Sequence, residues 1–182
     1  LIEGLRLEEI AAKVGAAGLP NVGEQAFLAA ARDGAAFKNT HFRLNSLPPN
    51  ASLEGYLFPD TYRIASTATV TEVIEVLLSR FDEQYQTFET AVRVPDVDVH
   101  KIVTMASIIQ REATDPEEMG LISAVFWNRL KPENSGEFGG GKLGSAPTVQ
   151  YLLGTPGTWW PKLDTLTAEQ IGRVADNAAG RR

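Results

Sequence analysis

Glu112 stands four residues after Ile108 and seven after Met105, a spacing that sets its carboxyl on the shoulder of the apolar face of a helix. Thr104, Ser107 and Arg111 mark the polar face of the same stretch. Partial withdrawal from water disfavours the charged form of a carboxyl, the direction a general acid needs near neutral pH. The same position also suits an ion pair or a solvated helix-end carboxylate, the commoner use of such residues.

A second group lies in Leu53-Glu54-Gly55-Tyr56-Leu57-Phe58-Pro59-Asp60-Thr61-Tyr62. Aromatic faces beside carboxylates hold sugar rings well. The alternative is a hairpin whose aromatics fill the core and whose Asp60 caps a turn. Asn128 and Arg129, one turn from the end of their helix, can bind a polar ligand or satisfy the last helical carbonyls. Trp159 and Trp160 can stack on sugar, anchor a partner, or bury an edge. The run from Gly136 to Leu143 nearly matches a phosphate-binding loop. It fails chemically: Leu143 replaces the metal-binding hydroxyl, Glu137 repels phosphate, and no buried strand precedes it. It reads as a flexible insertion.

Composition narrows the chemistry. The sequence has 182 residues, enough for one domain or one plus a small appendage, and enough to bury a core without staples. The absence of Cys excludes thiolate catalysis, disulfides and Cys-based zinc sites. His41 and His100 are too far apart in sequence to suggest a metal site, so no cofactor is expected. Net charge −6 argues against nucleic acid, which needs a basic face. No apolar run is long enough to span a membrane. The chain opens at Leu1 in mid-pattern, as a fragment of a longer protein does.

The elements that must position these groups are mostly helical. Glu3 to Lys13 carries apolar residues at helical spacing and is ended by Gly15, Gly18 and Pro20. Glu24 to Arg32 reads as a short helix, and Thr71 to Glu89 as the strongest amphipathic one. Val99 to Ala113 would carry Glu112. Asp115, Pro116 and Glu118 then form the start signal of a helix running to about Leu130. Residues 131–147 form a polar Gly-dense loop, Thr148 to Leu153 reads as a strand, and Ala168 to Asp176 as a weak last helix. The fold class expected is α+β, mostly helical with a few short strands.

Four stretches carry a resemblance to a known family, and they occur in its order. Leu53–Tyr62, Met105–Glu112 (Met-Ala-Ser-Ile-Ile-Gln-Arg-Glu), Val125–Leu130 (Val-Phe-Trp-Asn-Arg-Leu) and Pro147–Tyr151 (Pro-Thr-Val-Gln-Tyr) strongly resemble the YceG-like (MltG) family of endolytic murein transglycosylases. Ile2-Glu3-Gly4, followed by a helix, resembles the start of that family's catalytic region. The likeness runs from residue 1 to about 153.

The resemblance implies a lyase that cleaves the β-1,4 bond from N-acetylmuramic acid to N-acetylglucosamine within nascent glycan strands of peptidoglycan, leaving 1,6-anhydro ends. It carries the catalytic acid/base, the second acid of an E-x-E helix motif, onto Glu112. It implies that Glu54, Tyr56, Asp60, Tyr62, Ser107, Asn128, Thr148 and Tyr151 contact or orient the sugar. It also implies a catalytic region on the extracytoplasmic side of the cell membrane, held there by a single N-terminal span upstream of Leu1, next to a LysM-like part. The implied partner is the glycan strand, with peptidoglycan synthases as further candidates. Three departures stand out: Gln110 replaces the first acid of E-x-E, Ala146 replaces an Asp before Pro147, and residues 131–145 are longer than the family's turn. The family's C-terminal segments are also missing after Asp176-Asn177. These departures frame the competing expectation of a non-catalytic domain that binds glycan or docks a synthase.

Overall fold

The computed structural model describes residues 1–91, 97–131, 133 and 143–178. Seven α-helices follow one another among them: α1 (Leu7–Gly15), α2 (Glu24–Arg32), α3 (Val70–Ala91), α4 (Val99–Glu112), α5 (Met119–Leu130), α6 (Ala146–Leu153) and α7 (Ala168–Ala178), with short 3-10 turns between several of them. The mostly helical character expected from periodicity is observed. The short strands are not: the one β feature among the described residues is an isolated bridge between Thr155 and Thr158. Thr148 to Leu153, expected as a strand, lies in α6. Pro147 near the helix start sets φ for the first turn, and that local signal outweighs the short apolar run that suggested a strand. The Gly-rich run 134–142 and the end of the chain beyond Ala178 lie outside the described residues. No described helix is long and apolar enough to cross a membrane.

The chain divides into two compact units, Leu1–Thr104 and Met105–Arg182, with the division inside α4. In the first, α1 buries Leu7, Ile10, Ala11 and Val14, and α2 buries Phe27, Leu28 and Ala31, each on one face. α3 adds Val73, Ile74, Leu77, Leu78, Phe81 and Tyr85. Leu53, Tyr56 and Leu57 complete this core from a turn-rich loop, so residues 53–62 are an ordered loop and not a hairpin. Gly55 has no substitute there. Its φ is +83°, and a Cβ would sit 2.8 Å from Val103 Cγ1.

The first unit also ties a buried cation to α3. Arg43, 6% exposed, donates to Asp82 (3.4 Å) and Glu89 (2.6 Å). Its guanidinium lies 4.5 Å from the Phe42 ring centroid and 5.3 Å from that of Tyr85. Beside it, His41 Nδ1 is 2.5 Å from Asp82 and Nε2 is 2.7 Å from Glu75. Acidic side chains in this unit thus serve the fold.

In the second unit Met105 and Ile108 of α4 pack with Phe126 of α5. Ile109, Ile122, Trp127 and Leu143 lie against that cluster, partly buried. Asp115 starts the turn before α5 by accepting the Glu117 N–H at 2.9 Å. Thr167 and Gln170 cap α7 reciprocally, each side chain accepting from the other's backbone N–H (2.9 and 3.2 Å).

Candidate active site

Glu112 is the last residue of α4. Because it shares the helical face of Met105 and Ile108, whose side chains are buried, its own side chain is half-buried. One carboxyl oxygen, Oε1, accepts a 2.6 Å hydrogen bond from Ser145 Oγ. Ser145 is 5% exposed and occupies the N-cap position of α6. Its carbonyl in turn accepts Thr148 Oγ1 at 2.6 Å, so Thr148 closes the first turn of α6 around it. Oε2 of Glu112 has no hydrogen-bond partner among the described residues.

An aromatic platform belongs to the same unit. The Arg111 guanidinium lies 3.8 Å from the centroid of the Trp160 ring. Tyr151, 42% exposed, meets Trp160 at 6.4 Å between centroids and a 50° interplanar angle. Gln150 holds the segment after α6 by donating to the Pro161 carbonyl at 3.0 Å. Of the residues expected to touch sugar, Ser107 and Asn128 are exposed on α4 and α5. The Asn128 carbonyl accepts the Lys131 N–H at 3.2 Å. Arg129 donates to the Leu143 carbonyl, and its guanidinium lies 5.6 Å from the Phe126 ring centroid.

The remaining four expected residues belong to the first unit, and each has a partner within it. Glu54 Oε2 accepts the Leu7 N–H at 2.8 Å, placing a negative charge at the N-terminus of α1 where the helix dipole favours it. Tyr56 is expected from the resemblance to contact sugar. It is instead a core residue, 0% exposed, packed 5.1 Å from the Phe81 ring with its hydroxyl 3.1 Å from His100 Nδ1. Its burial, with the Asp98 charge nearby, pushes the phenol pKa well up. Asp60 accepts the Thr61 N–H and pairs with Arg80 Nε, both at 2.7 Å, and these two donors hold its carboxyl below the usual range. Tyr62 donates to the Phe58 carbonyl at 2.6 Å, and burial pushes its phenol up to about 12.

Ser145 is the residue that sequence reasoning missed. The signal was present: Ser-Ala-Pro-Thr is a serine N-cap ahead of a Pro-started helix, concealed by reading the following residues as a strand. No group of three or more His, Cys, Asp or Glu among the described residues is arranged to hold a metal ion.

The model of the YceG-like family matches residues 1–173, past the stretch that the four motifs cover, and the chain belongs to that family. The endolytic murein transglycosylase of Bacillus subtilis (strain 168) is 37% identical over 103 residues, 56% of this chain and 27% of that protein. That of Streptococcus pneumoniae serotype 2 (strain D39) is 31% identical over 140 residues, 70% of this chain and 25% of that protein. The 2.6 Å crystal structure of a yceG-like protein from Listeria monocytogenes shares the fold, with a TM-score of 0.69 over 94% of this chain and 55% of that one, at 24% identity. The chain spans about a quarter of the length of the curated relatives it matches.

Proposed function

We propose that the protein is an endolytic lytic transglycosylase of peptidoglycan and that Glu112 is its acid and base. The observation that carries this reading is the half-buried helix-end carboxyl with one oxygen held by the buried Ser145 hydroxyl and the other without a partner among the described residues. Glu112 Oε2 gives its proton to the glycosidic oxygen as the bond from that oxygen to the anomeric carbon of N-acetylmuramic acid breaks. The sugar's own 6-hydroxyl attacks the anomeric carbon and returns its proton to the carboxylate. No water is consumed and Glu112 ends protonated, as it began. One carboxyl suffices because the nucleophile is part of the substrate, whereas most glycosidases need two.

Tyr151 supplies an exposed aromatic face for a sugar ring, and Ser107 and Asn128 supply exposed polar groups. Such a substrate puts the region on the extracytoplasmic side of the membrane. The test is to incubate the full-length protein with murein strands and analyse the products by mass spectrometry. The expected product carries 1,6-anhydro ends. Hydrated reducing ends in their place overturn the lyase assignment, and full activity of Glu112→Gln overturns the residue assignment.

A further inference from the structure

We infer that Ser145 is a positioning residue for Glu112, and that α6 begins where it does in order to aim this one hydroxyl; the inference rests on the reading of Glu112 as acid and base. A serine at an N-cap ordinarily turns its hydroxyl onto the backbone N–H of the second or third helical residue. Ser145 makes no such bond. The second helical residue is Pro147, which has no N–H to offer. The third, Thr148, turns its own hydroxyl back onto the Ser145 carbonyl at 2.6 Å and so fixes the backbone of the cap. The Ser145 Oγ is left to donate to Glu112 Oε1 at 2.6 Å, in a setting where Ser145 is 5% exposed and water does not compete.

The consequence is a division of labour between the two carboxyl oxygens. Oε1 accepts from Ser145 in both protonation states of Glu112, so the exchangeable proton resides on Oε2. A fixed carboxyl plane delivers that proton along one direction, which is what general acid catalysis requires of geometry.

The test compares Ser145→Ala, Ser145→Cys and Ser145→Thr in the full-length protein on un-cross-linked murein strands, counting anhydro ends. Cys keeps the packing and offers only a weak donor, and Thr keeps the hydroxyl. Ala and Cys are expected to lower kcat about tenfold or more, with KM little changed and the melting temperature of the Cys variant close to wild type. Thr should restore the rate. A well-folded Cys variant with wild-type kcat overturns the inference while the reading of Glu112 stands. Failure of Thr to restore a rate that Ala and Cys have lost, with all three folded, overturns it as well. A wild-type protein that yields no anhydro ends overturns the reading itself and the inference with it.

Discussion

The paired carboxylates of the first unit and Glu112 of the second are held in different ways. In the first, Glu54 takes a helix N–H, Asp60 takes a backbone N–H and a guanidinium, and Glu75, Asp82 and Glu89 surround His41 and Arg43. Each of these carboxylates is engaged by a backbone N–H, a guanidinium or an imidazole of its own unit. In the second, Glu112 meets one neutral hydroxyl through one oxygen. A carboxylate tied to cations and amides is taken up by the fold, whereas Glu112 keeps one oxygen without a hydrogen-bond partner among the described residues. The contrast separates acids that build from the one proposed to react, although helix-end and loop carboxylates look alike in sequence.

The sharpest way to break this contrast is Glu112→Gln, which keeps the shape and the bond from Ser145 but cannot shuttle a proton. We expect at least about a hundredfold loss of anhydro product, with little change in thermal stability. Comparable loss of stability would place Glu112 among the builders. Next in size, Arg43→Ala should lower stability by about 2–3 kcal/mol, below the cost of breaking a wholly buried pair because Asp82 and Glu89 keep some contact with water. Hydrogen exchange read by mass spectrometry should show the loosening in peptides of residues 1–91 first. Even loosening across both units would remove the distinction.

Glu54→Ala should cost about 1 kcal/mol through the lost cap of α1, seen as a lower denaturation midpoint. The smallest effect is expected from Asp60→Asn. The folded protein holds the Asp60 carboxyl below its usual range, so Asp60 stabilises the fold above its ordinary titration and loses that effect as pH falls through the depressed value. The variant should therefore melt below wild type near neutral pH, with the gap closing below about pH 4. A gap that widens in acid would contradict the ion pair with Arg80.

The helical layout was readable because apolar residues recur every three or four positions. Periodicity placed α2 from Glu24 to Arg32 and located α4 to within a residue of its end. It misread α6, where five apolar or β-branched residues between Thr148 and Leu153 fit either period, and where Pro147 held the deciding information. The 53–62 loop was correctly marked as aromatic and turn-rich, but its sequence did not say which rings face inward. Tyr56 and Tyr62 are alike in type and near in sequence, yet one is sealed in the core and the other ties off its own turn through Phe58.

The order of residues by itself determined the helices, the ends that start and stop them, and the shoulder position of Glu112, because those depend on neighbours within a few residues along the chain. It also carried the four motifs of the YceG-like family. Only the folded structure decided which donor meets which acid. Ser145 and Glu112 are far apart in sequence and 2.6 Å apart in space. Leu7 and Glu54 are likewise distant along the chain and joined at 2.8 Å. Such pairings follow from packing between elements, and no local pattern encodes the partner that packing supplies.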